Sequence, residues 1–207
     1  GRLSKIDSDG YVDRAYSDLE SYFIQGAYTN GSTLIKAISF GGHEKTYQAW
    51  DGLSMDQVLE NRRQNPLTYE NEIDNYTQDH YQLHYKKQLN NDRYFNFSAH
   101  HTLGEGYYEQ EKLNESLSDY GLSDLYFGND TVSTTNLVRR KWLDNDFTGA
   151  IYSFENSLNK AKFILGGSYN IYSGKHFGNV IWSQFMSDGA YPHRYYNNKS
   201  TKTDNNV

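Results

Sequence analysis

Three short turns, each between two segments that alternate as β-strands do, most constrain the fold of this chain. The turns are Asn30-Gly31, Asn90-Asn91-Asp92 and Asn156-Ser157-Leu158-Asn159. Asn-Gly favours the positive backbone angles of a tight hairpin. Two polar, aromatic-rich segments of more than about thirty residues, Gly42–Asn75 and Gly104–Asn136, separate the hairpins and are predicted to be loops of a length that is uncommon in compact domains.

Six strands are predicted around these turns. They are Leu19–Tyr28, Thr33–Gly41, Tyr76–Leu89, Arg93–Leu103, Lys141–Glu155 and Ala161–Ser173. Alternation places Leu83 and Phe97 on apolar faces and Gln82 and Ser98 on polar ones. Short turns at one end and long loops at the other are typical of outer-membrane β-barrels. The predicted fold class is therefore all-β, an antiparallel up-and-down meander of about six strands from such a barrel.

Two short helices and a disordered tail complete the prediction. A capping box at Ser54 starts a helix in the first long loop, which should end before Pro66. A second helical stretch, Glu111–Tyr120, would end at Gly121 as a left-handed cap. The tail Asn197–Val207 has no hydrophobic periodicity and is predicted to be disordered.

Composition excludes several classes of function. The net charge of −6 argues against a nucleic-acid partner, which calls for a basic face. The absence of cysteine excludes disulfides and thiolate metal sites. Much of the apolar material is aromatic, with 20 Tyr, 10 Phe and 3 Trp. Such side chains suit half-buried, pleated surfaces.

Three segments resemble the barrel portion of TonB-dependent outer-membrane receptors. They are Gly10–Leu19, His43–Gly52 and His100–Gln110, in the expected order within Gly10–Ile171. The resemblance implies a plug domain inside a barrel of about 22 strands, which takes up siderophores, cobalamin or oligosaccharides with energy from the TonB system. The chain carries no plug and no TonB-contacting box, so residues 1–207 are expected to be a partial barrel segment of a larger receptor.

Six residues of the predicted loops are candidates for contact with a small-molecule or oligosaccharide ligand. Four are aromatic and suit stacking on a sugar or chelate, and two are acids that can accept hydrogen bonds: Tyr47, Trp50, Tyr107, Tyr108, Glu105 and Glu109. The alternative is that the aromatic residues pack the loops together or lie at a membrane interface.

No enzyme, cofactor or metal is predicted. Two of the three residues Glu105, Glu109 and Glu111 would have to supply the carboxyl pair of a glycosidase. That chemistry needs a rigid frame, whereas these glutamates are predicted to lie in a mobile loop. Four histidines lie close in the predicted sheet and suit either a transition metal or a water-filled lumen: His80, His84, His100 and His101.

The predicted partners follow from the barrel interpretation: a nutrient ligand, the TonB system through the plug, and outer-membrane lipid. The isolated segment is expected to self-associate, because it would carry two open edges and an uncovered apolar face. Two alternatives stay open. One is a soluble carbohydrate-binding β-module, although such a sandwich should turn every 8–12 residues. The other is a hydrolase, which would lose activity on changing Glu105 or Glu109.

Overall fold

The computed structural model describes residues 1–158, 160–187 and 191–206. The elements run in the order β1 (Arg2–Ser8), β2 (Ser17–Asn30), β3 (Thr33–Tyr47), α1 (Met55–Glu60), β4 (Ile73–Asn90), β5 (Arg93–Ser116), a 3-10 helix (Leu117–Tyr120), β6 (Leu125–Phe127), β7 (Asp130–Val132), β8 (Thr134–Leu158), β9 (Ala161–Ser183) and β10 (His193–Asn206).

Eight of the strands form one antiparallel sheet in the order β1-β2-β3-β4-β5-β8-β9-β10. The remaining two, β6 and β7, form a small hairpin between β5 and β8. The all-β class and the up-and-down meander are confirmed, while the number of strands in the sheet is eight and not six. The sheet is open, with β1 and β10 at its edges. No helix among the described residues is long and apolar enough to cross a membrane.

The three predicted hairpins are present. Gly31 adopts a φ of +50° between β2 and β3, a conformation that favours glycine. The amide of Asp92 donates to the side-chain oxygen of Asn90 in the second turn, which is typical of asparagine at turns. The third turn joins β8 to β9, and its residue Asn159 lies outside the described residues.

The predicted loop boundaries are wrong, because the strands continue well past them. β5 runs on to Ser116, β6 and β7 pair with each other, and β8 begins at Thr134, so most of Gly104–Asn136 belongs to paired strands. The first loop likewise shrinks to the residues between β3 and β4. Both extensions carry polar side chains on both faces, and backbone pairing does not require an apolar face. Hydrophobic alternation therefore underestimates their length.

The predictions for the helices and the tail are confirmed in part. α1 has the expected capping box at Ser54 and ends before Pro66. Glu111–Tyr120 is wrong as a helix, since only its last four residues form a 3-10 turn, although Gly121 is a left-handed cap as predicted. The disordered tail is also wrong for residues 197–206, which pair with β9; Val207 lies outside the described residues.

The densest packing lies at the end of the sheet away from the hairpin turns. One cluster of buried residues contains Leu117, Tyr120, Leu122, Leu137 and Val180, with Met186 and Tyr195 packed against it. The 3-10 helix places Leu117 and Tyr120, two members of this cluster, over β8 and β9. We call this end the distal half of the sheet, and the end beside the hairpin turns the turn half.

Candidate functional site

The strand register separates the side chains of the sheet into two faces. Directly paired residues of neighbouring strands share a face, so the chain of partners Ile35, Tyr85, Phe97 and Tyr152 defines one of them. We call this the apolar face. The other, which we call the polar face, carries Gln82, His84, Asn96 and Ser98.

The apolar face is exposed throughout the turn half. Ile24 is 60% exposed, Leu165 67% and Phe163 59%. Further members of the same exposed set are Tyr28, Leu83, Leu89, Tyr152 and Tyr169. Exposed apolar area of this extent marks a surface that contacts something other than water.

A polar row crosses the apolar face between the two halves. This row of paired residues crosses β2, β3, β4, β5, β8 and β9, and it reads Glu20, His43, Thr77, Glu105, Asp144 and Lys175. The exposed aliphatic residues of this face lie on the turn side of the row, together with Asp79 and Asp146 close to it. On its distal side the face carries the aromatic residues Tyr107, Trp142 and Phe177.

Hydrogen bonds between side chains connect neighbouring strands on the polar face of the turn half, which also carries the exposed Ile151 and Ile164 on β8 and β9. His84 Nδ1 lies 2.9 Å from Ser98 Oγ, and His80 Nδ1 lies 2.9 Å from Thr102 Oγ1. His100 Nε2 lies 3.1 Å from Asn170 Oδ1. These imidazoles are engaged by hydroxyls and amides, and the described residues contain no group of three His, Cys, Asp or Glu with metal-binding geometry.

The six predicted ligand residues divide between the two faces. Trp50 follows β3 and packs edge-on against Tyr108 of β5, with ring centroids 5.3 Å apart. Tyr108 lies on the polar face, because it pairs with Asp74 and Lys141. The four others, Tyr47, Glu105, Tyr107 and Glu109, point to the apolar face within or beside the distal half. The structure therefore brings together only Trp50 and Tyr108 on the polar face.

Glu109 and Tyr47 are engaged in internal contacts. Arg140 Nε donates to Glu109 Oε2 at 2.7 Å, and the Tyr69 hydroxyl donates to Glu109 Oε1 at 2.8 Å. Burial, together with that hydrogen bond to the carboxylate, raises the pKa of Tyr69 to about 12. The Tyr47 hydroxyl donates to the carbonyl oxygens of Leu67 and Tyr69. These contacts hold the loop after β3 against the sheet.

Tyr107 and Glu105 lie on strands and not in a loop. Tyr107 packs on Trp142 with centroids 4.6 Å apart, and Trp142 stacks on Phe177 at 5.7 Å. The Arg140 guanidinium covers the Tyr107 ring at 4.3 Å. Glu105 is exposed and pairs with Asp144 across the strands. The rigid setting of Glu105 and Glu109 corrects the expectation of a mobile loop.

Sequence analysis missed a larger aromatic cluster on the distal polar face. The Tyr120 ring lies 4.8 Å from that of Tyr195, which lies 4.9 Å from that of Tyr196. Tyr196 belongs to the same row of paired residues as Tyr108, with Lys141 and Gly178 between them. We call the set Trp50, Tyr108, Lys141, Tyr120, Tyr195 and Tyr196, together with Arg139, the aromatic–basic cluster.

Two short sequence segments contribute residues to this cluster. The run Arg139-Arg140-Lys141 and the pair Tyr195-Tyr196 are both visible in the sequence. Neither reveals the cluster alone, because β10 reaches the site only through its pairing with β9. No family model matches the sequence, and no curated protein matches it. The function is therefore inferred from the chemistry of these surfaces.

Proposed function

We propose that the chain forms part of the wall of an outer-membrane β-barrel receptor of the TonB-dependent type. In this proposal the turn half crosses the membrane with its apolar face toward lipid, and the distal half binds a scarce nutrient at the cell surface. Energy for uptake would reach the barrel from the TonB system through a plug. The observation that carries the proposal is the set of exposed aliphatic residues on the apolar face of the turn half, which ends at one polar row of paired residues.

The length of the apolar segments supports a membrane-crossing role. On β5 the apolar face extends from Phe95 to Leu103, on β9 from Phe163 to Ile171, and on β4 from Tyr81 to Leu89, where Lys87 interrupts it beside the turn. A strand needs about 9–11 residues to cross the hydrocarbon layer. Each segment has this length, and each faces hydrogen-bonded polar side chains across the sheet, as in a water-filled lumen.

The open edges of the sheet support a larger assembly. β1 and β10 each expose one unpaired edge, and exposed edges pair with further strands. Closure with other strands removes such edges in a membrane, where every backbone group needs a partner. In water without lipid, we expect the chain to self-associate through these edges and the apolar face. A monomeric profile on size exclusion with low binding of a hydrophobic dye would count against this expectation.

A second candidate function is a soluble carbohydrate-binding module. The contact between Trp50 and Tyr108 favours it, because stacked aromatic residues suit sugar rings. In such a module the apolar face would need a second layer of structure to cover it. Within the described residues the large sheet has no second sheet packed on it. The membrane barrel therefore accounts for more of the surface.

Single cysteines test the proposed topology, since the chain has none of its own. Met55 lies in the loop after β3 and Ser32 lies in a hairpin turn, and both are exposed. In intact cells producing the protein, a membrane-impermeant maleimide should label Met55→Cys and leave Ser32→Cys unlabelled until the outer membrane is opened. Equal labelling of both positions, or recovery of the protein outside the membrane fraction, would contradict the proposal.

A further inference from the structure

We infer that the aromatic–basic cluster binds a ring-bearing anion, such as an acidic saccharide or an iron–catecholate chelate. This inference rests on the proposed function and adds the charge of the nutrient. The two ligand sources share the relevant chemistry, a flat or puckered ring that carries anionic oxygen atoms. The cluster offers aromatic surface for the ring and cationic groups for the charge.

The ring-binding part of the cluster is built on a glycine. A side chain at Gly178 would collide with the rings of Tyr195 and Tyr196, so the absence of a Cβ lets both rings lie close to the sheet. Trp50 and Tyr108 meet on the other side of Lys141. A ligand over Lys141 would therefore have aromatic surface on both flanks, which suits stacking and cation–π contacts.

The charge of the site follows from two cations without carboxylate partners. Among the described residues, neither Arg139 nor Lys141 takes part in an ion pair. Arg139 donates to the Tyr120 hydroxyl at 3.0 Å and to Gln110 Oε1 at 3.0 Å, both neutral groups. Lys141 Nζ lies 5.9 Å from the centre of the Tyr108 ring.

Two cations on the opposite face of the same strands have carboxylate partners. Arg140, between the two unpaired cations, binds Glu109 at 2.7 Å. Lys175 of β9 binds Asp144 at 2.6 Å. These two cations of the apolar face are thus paired with carboxylates, whereas Arg194 on the same face lies over the Phe177 ring. On the polar face, Arg139 and Lys141 lie beside buried or half-buried tyrosine rings. An anionic ligand would give Arg139 and Lys141 a partner of opposite charge. Charge-assisted hydrogen bonds are among the strongest hydrogen bonds in proteins.

Unsatisfied polar atoms in the cluster point in the same direction. Arg139 Nε and the Tyr195 hydroxyl are buried and have no hydrogen-bond partner among the described residues. Buried polar atoms normally have partners, and each exception calls for an explanation. Two carboxylates lie near these cations: Glu115 accepts from the Tyr120 hydroxyl, to which Arg139 donates, and Asp74 lies across Tyr108 from Lys141.

Equilibrium binding to the purified full chain in detergent tests the inference. The probes are trigalacturonate, iron(III) tris(2,3-dihydroxybenzoate) and, as a neutral ring control, maltotriose. We expect at least one anionic probe to bind and Lys141→Gln to weaken that binding about 10- to 100-fold, the value of a charged hydrogen bond. Lys141→Arg should retain most of the affinity, and the probe that binds identifies the source.

Lys175→Gln is the matched control, since it removes a cation of β9 on the apolar face and should leave binding unchanged. Failure of both anionic probes to bind would overturn the inference, as would equal affinity of the native chain and Lys141→Gln. Tighter binding of maltotriose than of either anion would also overturn it. Labelling of Met55→Cys and Ser32→Cys in cells reports separately on membrane topology, so failure of the inference is distinguishable from failure of the proposed function.

Discussion

The turn half and the distal half are made from the same long strands, yet they reach stability in different ways. Every buried apolar residue among those described lies in the distal half, including Leu117, Leu137 and Val180. The turn half instead exposes large apolar side chains such as Ile24 and Leu165 on one face. The distal half is packed as a protein in water is packed, whereas the turn half lacks a core, and in the proposed barrel lipid would cover its apolar face.

The two halves also differ in how their polar groups are hydrogen-bonded. In the distal half, ion pairs and buried hydrogen bonds, such as those of Glu109 and Gln48, join loops to strands. In the turn half, polar groups form ladders along one face, as His84 does with Ser98. In the proposed barrel, one face of the turn half would meet water and the other lipid, so we expect the same kind of substitution to have different consequences in the two halves.

The largest expected effect is the loss of a buried leucine in the distal half. Leu137 is fully buried, so Leu137→Ala should lower the free energy of unfolding by about 2–5 kcal/mol through lost burial and a residual cavity. Leu165→Ala in the turn half is the matched control and should cost clearly less, because that side chain has no protein core around it. Denaturant unfolding in lipid vesicles measures both, and equal losses would remove the distinction between the halves.

A charge on the apolar face should have the next largest effect. Leu83→Arg places a cation in the middle of the proposed lipid-facing band and should lower stability in lipid by about 2–4 kcal/mol. Its neighbour Gln82 lies on the polar face, so Gln82→Arg should be tolerated. The fraction of each variant that inserts into vesicles is the measurement. Equal insertion of both would mean that the two faces do not meet different solvents.

The smallest expected effect concerns the pH dependence of stability that the buried carboxyl of Glu72 causes in the distal half. Burial raises the pKa of Glu72 above its usual range, although the Glu111 amide donates to its carboxylate. A carboxyl with a raised folded-state pKa contributes stability below its unfolded pKa and loses it as the pH rises through the folded value. Glu72→Gln should therefore be more stable relative to the native chain at about pH 7 than at about pH 4.

Unfolding free energies of both chains at the two pH values test this expectation. The exposed Glu70→Gln is the control and should not reproduce the pH dependence. A difference between Glu72→Gln and the native chain that is the same at both pH values would show that burial does not disfavour the charged carboxyl.

The turn half was largely predictable from sequence, because its signals are local. Asn30-Gly31 indicates a hairpin, and the alternation around Leu83 and Phe97 assigns both faces correctly. The distal half was not predictable in this way. The burial of Glu109 depends on Arg140 across the strand and on Tyr69 from a loop. Tyr196 reaches the aromatic–basic cluster only through pairing that polar, non-periodic residues of β10 do not signal.

The central claim, that the apolar face of the turn half contacts lipid, is tested most directly by a spin-label scan of β5. Single cysteines from Phe95 to Glu109 would carry a nitroxide, and collisions with oxygen, which concentrates in lipid, would be compared with those of a water-soluble nickel chelate. The account predicts high oxygen exposure at alternate positions from Phe95 to Leu103, lost from Glu105 onward. Equal exposure to the nickel chelate on both faces across Phe95–Leu103 would contradict it.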